Sequence, residues 1–508
     1  METILASIKD NASVWITLAI YIAVMVIIGV TQGKKAHSIA DLTVGGRNAG
    51  AWLSALSYGT AYFSAVMFVG YAGGTGKAYG LWGILAGIGN AVFGSWLAWK
   101  VLARRTRDSS ARLKLKTMPQ FLEKRYTSEK MRIFACIVIF IFLIPYSASV
   151  YKGLASVADV LLGIPVNVCM IVIAVVSALL LLFGGYLVQA RADFFQGIVM
   201  MFGVAFLIFC VVRCDSVGGF AGLAEYAKSD LGLPKLNASQ WISLWATVLM
   251  TSFGTWGLPQ MVQKYFGIKD DKQAKKGITI STFFAFLVAG GGYFIGSLCY
   301  RFFTPETLPA NQDYIVPEML KAANLPSVLL GIVLMLLIAA SVSTLCSITL
   351  TASSTLTIDL IRPLKKTMDD KKSSFTIKAL CVIFIVCSYI IANTDTPILD
   401  MMSYSWGIIS GSFLAPYVVA LYWKKMNTKG AWAGILGGFV VAVIPGAAKV
   451  ISGFVENETL TWLAGKGPVF ACVAMVLSIV LCVAVSAVTK SSNQKETDFF
   501  YNGEIAAE

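Results

Sequence analysis

Thirteen apolar runs, each long enough to cross a bilayer, leave this 508-residue chain little room to be anything but a bundle of membrane-spanning helices. A helix rises about 1.5 Å per residue and needs about 20 apolar residues to cover the hydrocarbon core. The runs, numbered as spans 1 to 13, are 14–33, 51–75, 79–102, 131–151, 166–185, 193–212, 241–263, 277–300, 327–360, 377–393, 401–423, 430–450 and 467–489. The segments between them are short, so no water-soluble domain fits there, and the tail after Lys490 is expected to be a small solvated appendage. Charged residues make up 13% of the chain, about half of the roughly 25% that clothes a soluble domain, and mean hydropathy is +0.73. A soluble enzyme, a disordered chain and a nucleic-acid binder are excluded on that ground. The expected class is an all-α integral membrane protein with the lipid bilayer as its main solvent. Span 1 lacks a small-residue cleavage site and reads as a span rather than a leader.

The net charge of +14 could point to a polyanionic partner, so its placement matters. With residues 1–13 outside, 28 of the 41 Lys and Arg fall in inward loops, ten lie outside and three sit at inner boundaries. The densest inward segment is 103–130, and the count also takes in Lys264 as a loop residue. This asymmetry obeys the positive-inside rule only with the N-terminus outside and the C-terminus cytoplasmic. It accounts for the charge without nucleic acid, as solvated basic loops beside a cell membrane. His37 is the single histidine, and the ten cysteines are scattered without a CxxC. They read as small buried apolar groups rather than a disulfide or metal framework. With no triad or metal cluster in view, enzyme chemistry is not expected, nor is an organic cofactor.

Two spans carry interruptions. Span 2 contains Ser57-Tyr58-Gly59-Thr60 and span 7 contains Ser252-Phe253-Gly254-Thr255, followed by Gly257 and Pro259. Transporters built from inverted repeats place broken helices at matching positions of each half. Freed carbonyls at membrane depth are tolerated only where they line a cavity. Five helices per repeat is an odd number, so the copies would run oppositely through the membrane. That gives a five-plus-five core, with 51–212 as the first repeat and 213–423 as the second. Residues 1–50 would be a peripheral helix with an inner loop, 424–489 the C-terminal peripheral helices and 490–508 a cytoplasmic tail. Helix-packing glycine is the competing reading of the echo.

Span 9 holds Ser343, Ser347 and Ser354 at intervals of four and seven, hence on one helical face, with Thr344 beside it. Sodium is a hard cation that takes oxygen ligands. Hydroxyls together with carbonyls from a broken helix could supply its shell without a carboxylate, weakly enough to permit release. The alternative is that these hydroxyls only tie helices together. Asp193, at the start of span 6, either pairs with Arg191 at an inner boundary or contributes to an inner cation path or gate.

These segments together resemble the sodium/solute symporter family, particularly its bacterial proline and pantothenate symporter branch. The similarity is carried by Asp41-Leu42-Thr43-Val44-Gly45-Gly46-Arg47 after span 1, and by Gly184-Gly185-Tyr186 leading to Asp193 and Gln196. It continues through the run 339–359, ending in Thr357-Ile358-Asp359-Leu360. Pro416, Tyr422-Trp423 and Gly430-Ala431 through Gly434 complete the set, in order and over the right helices. The resemblance implies alternating access and sodium-driven symport of a small organic solute, with Na+ as the coupling ion. It places the principal sodium site on the carbonyls of Thr60, Phe63 and Ala340 and the hydroxyls of Ser343 and Thr344. A second, inner site would draw on Asp193, Ser343 and Ser347, but Cys346 stands where a serine is usual, and sulfur is a poor sodium ligand.

The solute positions depart from the proline carriers, which are similar to one another in having an aspartate where this chain has Tyr62. Those carriers also have aromatics in place of Thr251 and Thr255, and sugar carriers have a Glu-Gln pair in place of Val66 and Met67. The implied pocket is Tyr62, Ser64, Tyr146, Thr251, Thr255, Trp256 and Tyr404, and the expected solute is a small carboxylate or amino-acid-like compound rather than proline or a sugar. A proton-coupled carrier, and a membrane sensor or receptor of the same fold without net transport, are the competing functions.

Overall fold

The computed structural model describes residues 12–33, 47–183, 186–365, 368–489 and Tyr501. His37, residues 41–46 of the Gly-Gly-Arg stretch, Gly184, Gly185 and the tail apart from Tyr501 lie outside the described residues. Within them every regular element is helical, and extended pairing is confined to one parallel bridge between Ala49 and Ile268.

Polar residues just ahead of the apolar runs start the helices. Ser128, Asp270, Asp369 and Asn427 cap spans 4, 8, 10 and 12 by accepting a backbone N–H, and Asn237 with Gln240 forms a capping box for span 7. Each cap satisfies donors that the first turn leaves without partners. Nine helical stretches among the described residues are long and apolar enough to cross a membrane, joined by the shorter Trp15–Ile28 and Val166–Leu182. The thirteen expected spans map onto these once two facts are allowed for. The second half of span 2 and all of span 3 form one stretch, Met67–Arg112, reversing at Gly80. Gly80 has φ +56, and a Cβ there would meet the carbonyls of Leu231 and Gly232 at 2.6 Å, so only glycine makes that turn. Span 7 is missing from the long helices because it is broken.

Burial ranks the spans. In an apolar 18-residue stretch of spans 9 and 11, 72% and 83% of residues are buried, against 33% for spans 10, 12 and 13. Spans 9 and 11 therefore occupy the middle, and the last two lie at the rim with apolar faces turned to lipid.

The basic segments gather at one end of the bundle. Arg104 pairs with Asp271 at 3.0 Å, and Arg105 donates to Leu421 O at 2.7 Å. Arg125 donates to the carbonyls of Trp423, Lys424 and Met426. Arg125 is thus a buried clamp across loops rather than a solvated charge. The tail is also more than a solvated appendage: the Tyr501 hydroxyl donates to Ala420 O, Arg112 donates to Tyr501 O at 2.8 Å, and Arg125 and Lys424 lie over its ring.

Candidate ion and solute site

Span 2 coils without a break through Gly59 and ends at Tyr62. The interruption falls four residues beyond the glycine, at Phe63 and Ser64, where Phe63 is extended with φ −104 and ψ 113. Gly59 serves packing instead: a Cβ there would sit 2.3 Å from Phe284 Cδ1. Phe63 N–H still reaches Gly59 O at 2.9 Å, but one rung on the ladder fails. Thr60 O instead accepts from Ser343 Oγ and Thr344 Oγ1, both at 2.9 Å. The same hydroxyls lie 3.1 and 2.9 Å from Ala340 O. Met67 N–H, which would take Phe63 O in an unbroken helix, is bonded to Ser64 O at 3.1 Å, leaving the Phe63 carbonyl outside the ladder. Two carbonyls and two hydroxyls from spans 2 and 9 thus share one buried spot beside the break.

Span 7 breaks at the matching place. A helix over Ala238–Phe253 gives way to a tight turn at Gly254–Gly257, and helix resumes at Pro259–Phe266. The freed Gly254 O accepts from Ser410 Oγ of span 11.

The expected solute residues cluster between these breaks, with one exception. Tyr62 Oη donates to Thr251 O at 2.5 Å, Thr255 Oγ1 to Ser252 O at 2.8 Å and Trp256 Nε1 to Phe93 O at 3.0 Å. Ser64 Oγ accepts from Val66 N–H at 3.3 Å, steadying the restart of span 2. The Tyr146 ring meets Trp406 edge-on at 5.4 Å, and Trp406 lies 6.2 Å from the Tyr62 ring. Tyr404 is the exception: its hydroxyl donates to Ala464 O at 2.9 Å and its ring packs against Gly446 and Gly467, toward the peripheral helices. Residues two apart on a helix differ by about 200°, so the pocket takes Trp406, and Tyr404 faces away from it. Asn90 is a second residue the sequence reading missed. Its Oδ1 accepts from Thr251 Oγ1 at 2.9 Å and Ser252 Oγ at 3.2 Å.

Asp193 lies about 10 Å inside its helix, because span 6 begins at Tyr186 rather than at 193. It is fully buried, and its ion-pair partner is Lys264 rather than Arg191, with Lys264 Nζ 3.0 Å from Oδ2. Ser57 closes the triangle, donating to Asp193 Oδ2 at 2.5 Å and accepting from Lys264 Nζ at 2.8 Å. Lys264 is 3% exposed, so its assignment to a solvated loop is corrected. Ser347, expected near Asp193, instead accepts from Gln189 Nε2 at 2.5 Å. Cys346 borders a cavity of about 20 Å³ with Asp193, Gln189 and Ser343, room for about one water. The triangle joins the first segment of broken span 2 and the last segment of broken span 7 to span 6. Tyr58 stacking on Tyr265 at 5.5 Å and the bridge from Ala49 to Gly267 and Lys269 fasten those segments further. At the opposite end opens a polar vestibule of about 880 Å³, bordered by Lys77, Lys152, Gln240, Gln312, Asp313 and Lys466. Burial there holds the Asp313 carboxyl above the usual carboxylate range, despite the Ile398 N–H and Lys152.

Comparison with known proteins decides what this arrangement is. The profile of the sodium:solute symporter family matches residues 43–438, most of the chain. The chain belongs to that family. The symporter is 27% identical over 485 residues to the osmoregulated proline transporter OpuE of Bacillus subtilis (strain 168), covering 94% of each chain. It is 26% identical over 499 residues to a sodium/proline symporter of Staphylococcus aureus, covering 92% of this chain and 95% of that one. Its fold matches the outward-open structure of a Na+-coupled sialic acid symporter with a TM-score of 0.77 at 17% identity, across 95% of this chain and 98% of that one. The protein is a multi-pass membrane symporter that couples sodium to a small organic solute, and transport rather than catalysis is its activity.

Proposed function

We propose that Thr60, Phe63 and Ala340 through their carbonyls, and Ser343 and Thr344 through their hydroxyls, hold the coupling sodium. The carrying observation is the convergence of both hydroxyls on Thr60 O and Ala340 O at 2.9–3.1 Å. A bound cation takes over the carbonyls from the hydroxyl protons, and the hydroxyl lone pairs turn to the same ion. Every ligand is uncharged, so the site keeps one positive charge as it moves. Down 100 mV that charge releases about 2.3 kcal/mol, and a tenfold sodium gradient adds about 1.4 kcal/mol. Together they support solute accumulation on the order of several hundredfold.

The solute pocket is formed by Tyr62, Ser64, Tyr146, Thr251, Thr255 and Trp256, completed by Trp406. Tyr146 Oη and Trp406 Nε1 are buried without hydrogen-bond partners among the described residues. An unmet buried donor costs about 1–3 kcal/mol, which a carboxylate arriving between these adjoining rings offsets. This supports a small carboxylate or amino-acid-like solute, as do relatives named for proline.

With the N-terminus outside and the C-terminus cytoplasmic, the Ser57–Asp193–Lys264 triangle is the inner gate, and Asp193 serves there rather than in a second sodium site. Entry is through the vestibule. Sodium braces the broken span 2 against span 9 and completes the pocket, after which the outer side closes and the triangle parts. Replacing external sodium by choline at fixed pH, with candidate amino acids and short carboxylates including proline supplied outside the vesicles, tests the reading. Uptake must vanish with sodium; uptake that persists in choline, and that an imposed pH gradient then drives, would transfer the coupling to protons.

A further inference from the structure

A concentration of positive charge lies away from the transport site, where the segment between spans 3 and 4 meets the end of span 9. Lys114, Lys116, Gln120, Arg362 and Met368 border a groove of about 480 Å³ there. A second groove of about 550 Å³ shares Met368 and runs past Lys365, Lys371 and Lys372 to Phe375. The backbone holds these cations in place. Lys114 sits in a left-handed turn at φ +53, and beneath it Arg47 donates to Ser110 Oγ at 2.9 Å and Leu115 O at 2.7 Å. Burial, with Arg362 and Arg47 nearby, holds the Lys116 ammonium below the usual lysine range, although Asp370 opposes the shift. Six cations thus border the two grooves. Against them stand Asp370, paired with Arg362 at 3.0 Å, and Asp369, which accepts from Lys372 N–H at the start of span 10. Such crowding of like charge favours an anion. Leu364 and Phe375, 74% and 75% exposed, flank the cations with bare apolar side chains.

We propose that these joined grooves bind the phosphate headgroup of an anionic phospholipid, with its acyl chains leaving past Leu364 and Phe375. Arg362 offers a planar fork to phosphate oxygens, and the lysines add point charges. The apolar rim distinguishes a lipid from a free phosphate, which needs no such rim. Arg362 directly follows Thr357–Ile361 at the end of the span bearing Ser343 and Thr344, so an occupant pins one end of the sodium-binding helix. On the orientation proposed above, the lipid belongs to the cytoplasmic leaflet.

The test compares wild type with the K114Q/K116Q/R362Q triple variant in phosphatidylcholine vesicles, with and without phosphatidylglycerol. The readouts are lipid retention in native mass spectra and initial sodium-driven uptake. Each cation near an anionic surface contributes roughly fivefold, so the triple variant should bind phosphatidylglycerol on the order of a hundredfold more weakly. Phosphatidylglycerol should speed uptake by wild type and leave the variant unchanged. Equal retention by both proteins overturns the proposal, as does displacement of the lipid by inorganic phosphate at matched charge. If the triple variant does not fold, the K114R/K116R/R362K variant must retain the lipid, and loss of retention there counts against the grooves. The lipid is present in both leaflets of such vesicles, so the outcome is independent of orientation. Side-specific labelling of Thr489→Cys in a cysteine-free background reads the orientation separately.

Discussion

The hydroxyls of Ser343 and Thr344 are the smallest features on which sodium coupling rests. Ser343→Ala and Thr344→Ala should each raise the half-saturating sodium concentration on the order of tenfold, the worth of one lost oxygen ligand, in uptake measured against sodium at fixed solute. Unchanged sodium dependence in both, at normal expression, sinks the assignment. Lys264 is the opposite case, a full charge at 3% exposure matched to Asp193. Removing one partner of a buried pair costs about 3–5 kcal/mol, so Lys264→Met should lower thermal stability sharply, and Lys264→Met with Asp193→Asn should recover part of the loss. Tyr146→Phe should behave differently again. It deletes a buried hydroxyl that has no hydrogen-bond partner among the described residues, so stability should hold or rise while solute KM rises; a stability loss with KM unchanged would assign that hydroxyl to packing. Lys264 was hard to read because it follows the apolar run 241–263 directly, where a lysine looks like the first residue of a loop. Only the neighbouring span 6 shows that it points inward.

At the scale of the element, the broken helices divide the labour between glycine and backbone. Gly59 lets Phe284 pack within 2.3 Å of where its Cβ would lie, and the backbone itself opens four residues later, freeing the carbonyls of Thr60 and Phe63 from the ladder. Gly59→Ala should therefore cost about 1–3 kcal/mol by overpacking, readable as a drop in thermal midpoint. Phe284→Leu in the same chain should restore most of it. If no rescue appears and sodium affinity collapses instead, Gly59 belongs to the ion site rather than to packing. The aromatic-glycine-threonine echo was legible: in span 7 it marks the turn itself at Gly254–Gly257, whereas in span 2 the helix runs on past it to Tyr62. Span 11 shows the same limit. An unbroken apolar run gives no sign of which aromatic faces the cavity, so Tyr404 and Trp406 are separable only once spans 12 and 13 cover one side.

For the whole molecule, the end that holds the Ser57–Asp193–Lys264 triangle is fastened and the opposite end opens into the vestibule. The fastening spans distant chain segments: Arg125 ties span 4's entrance to the loop after span 11, and Tyr501 docks beside it. Truncation after Lys495 should therefore reduce thermal stability, and Tyr501→Ala alone should reproduce most of the change. A truncated protein as stable as the full chain would return the tail to the role of a solvated appendage.

The number of spans, the two that break and the face of span 9 that bears hydroxyls were set by the sequence alone. Bilayer thickness and helical periodicity act locally, and both leave a period that can be counted along the chain. The partner of Asp193, the burial of Lys264 and Arg125, the choice of Trp406 over Tyr404 and the place where span 2 unwinds were decided by tertiary structure. Each depends on which groups from remote spans arrive within about 3 Å, and hydrogen bonds and ion pairs act only at such range.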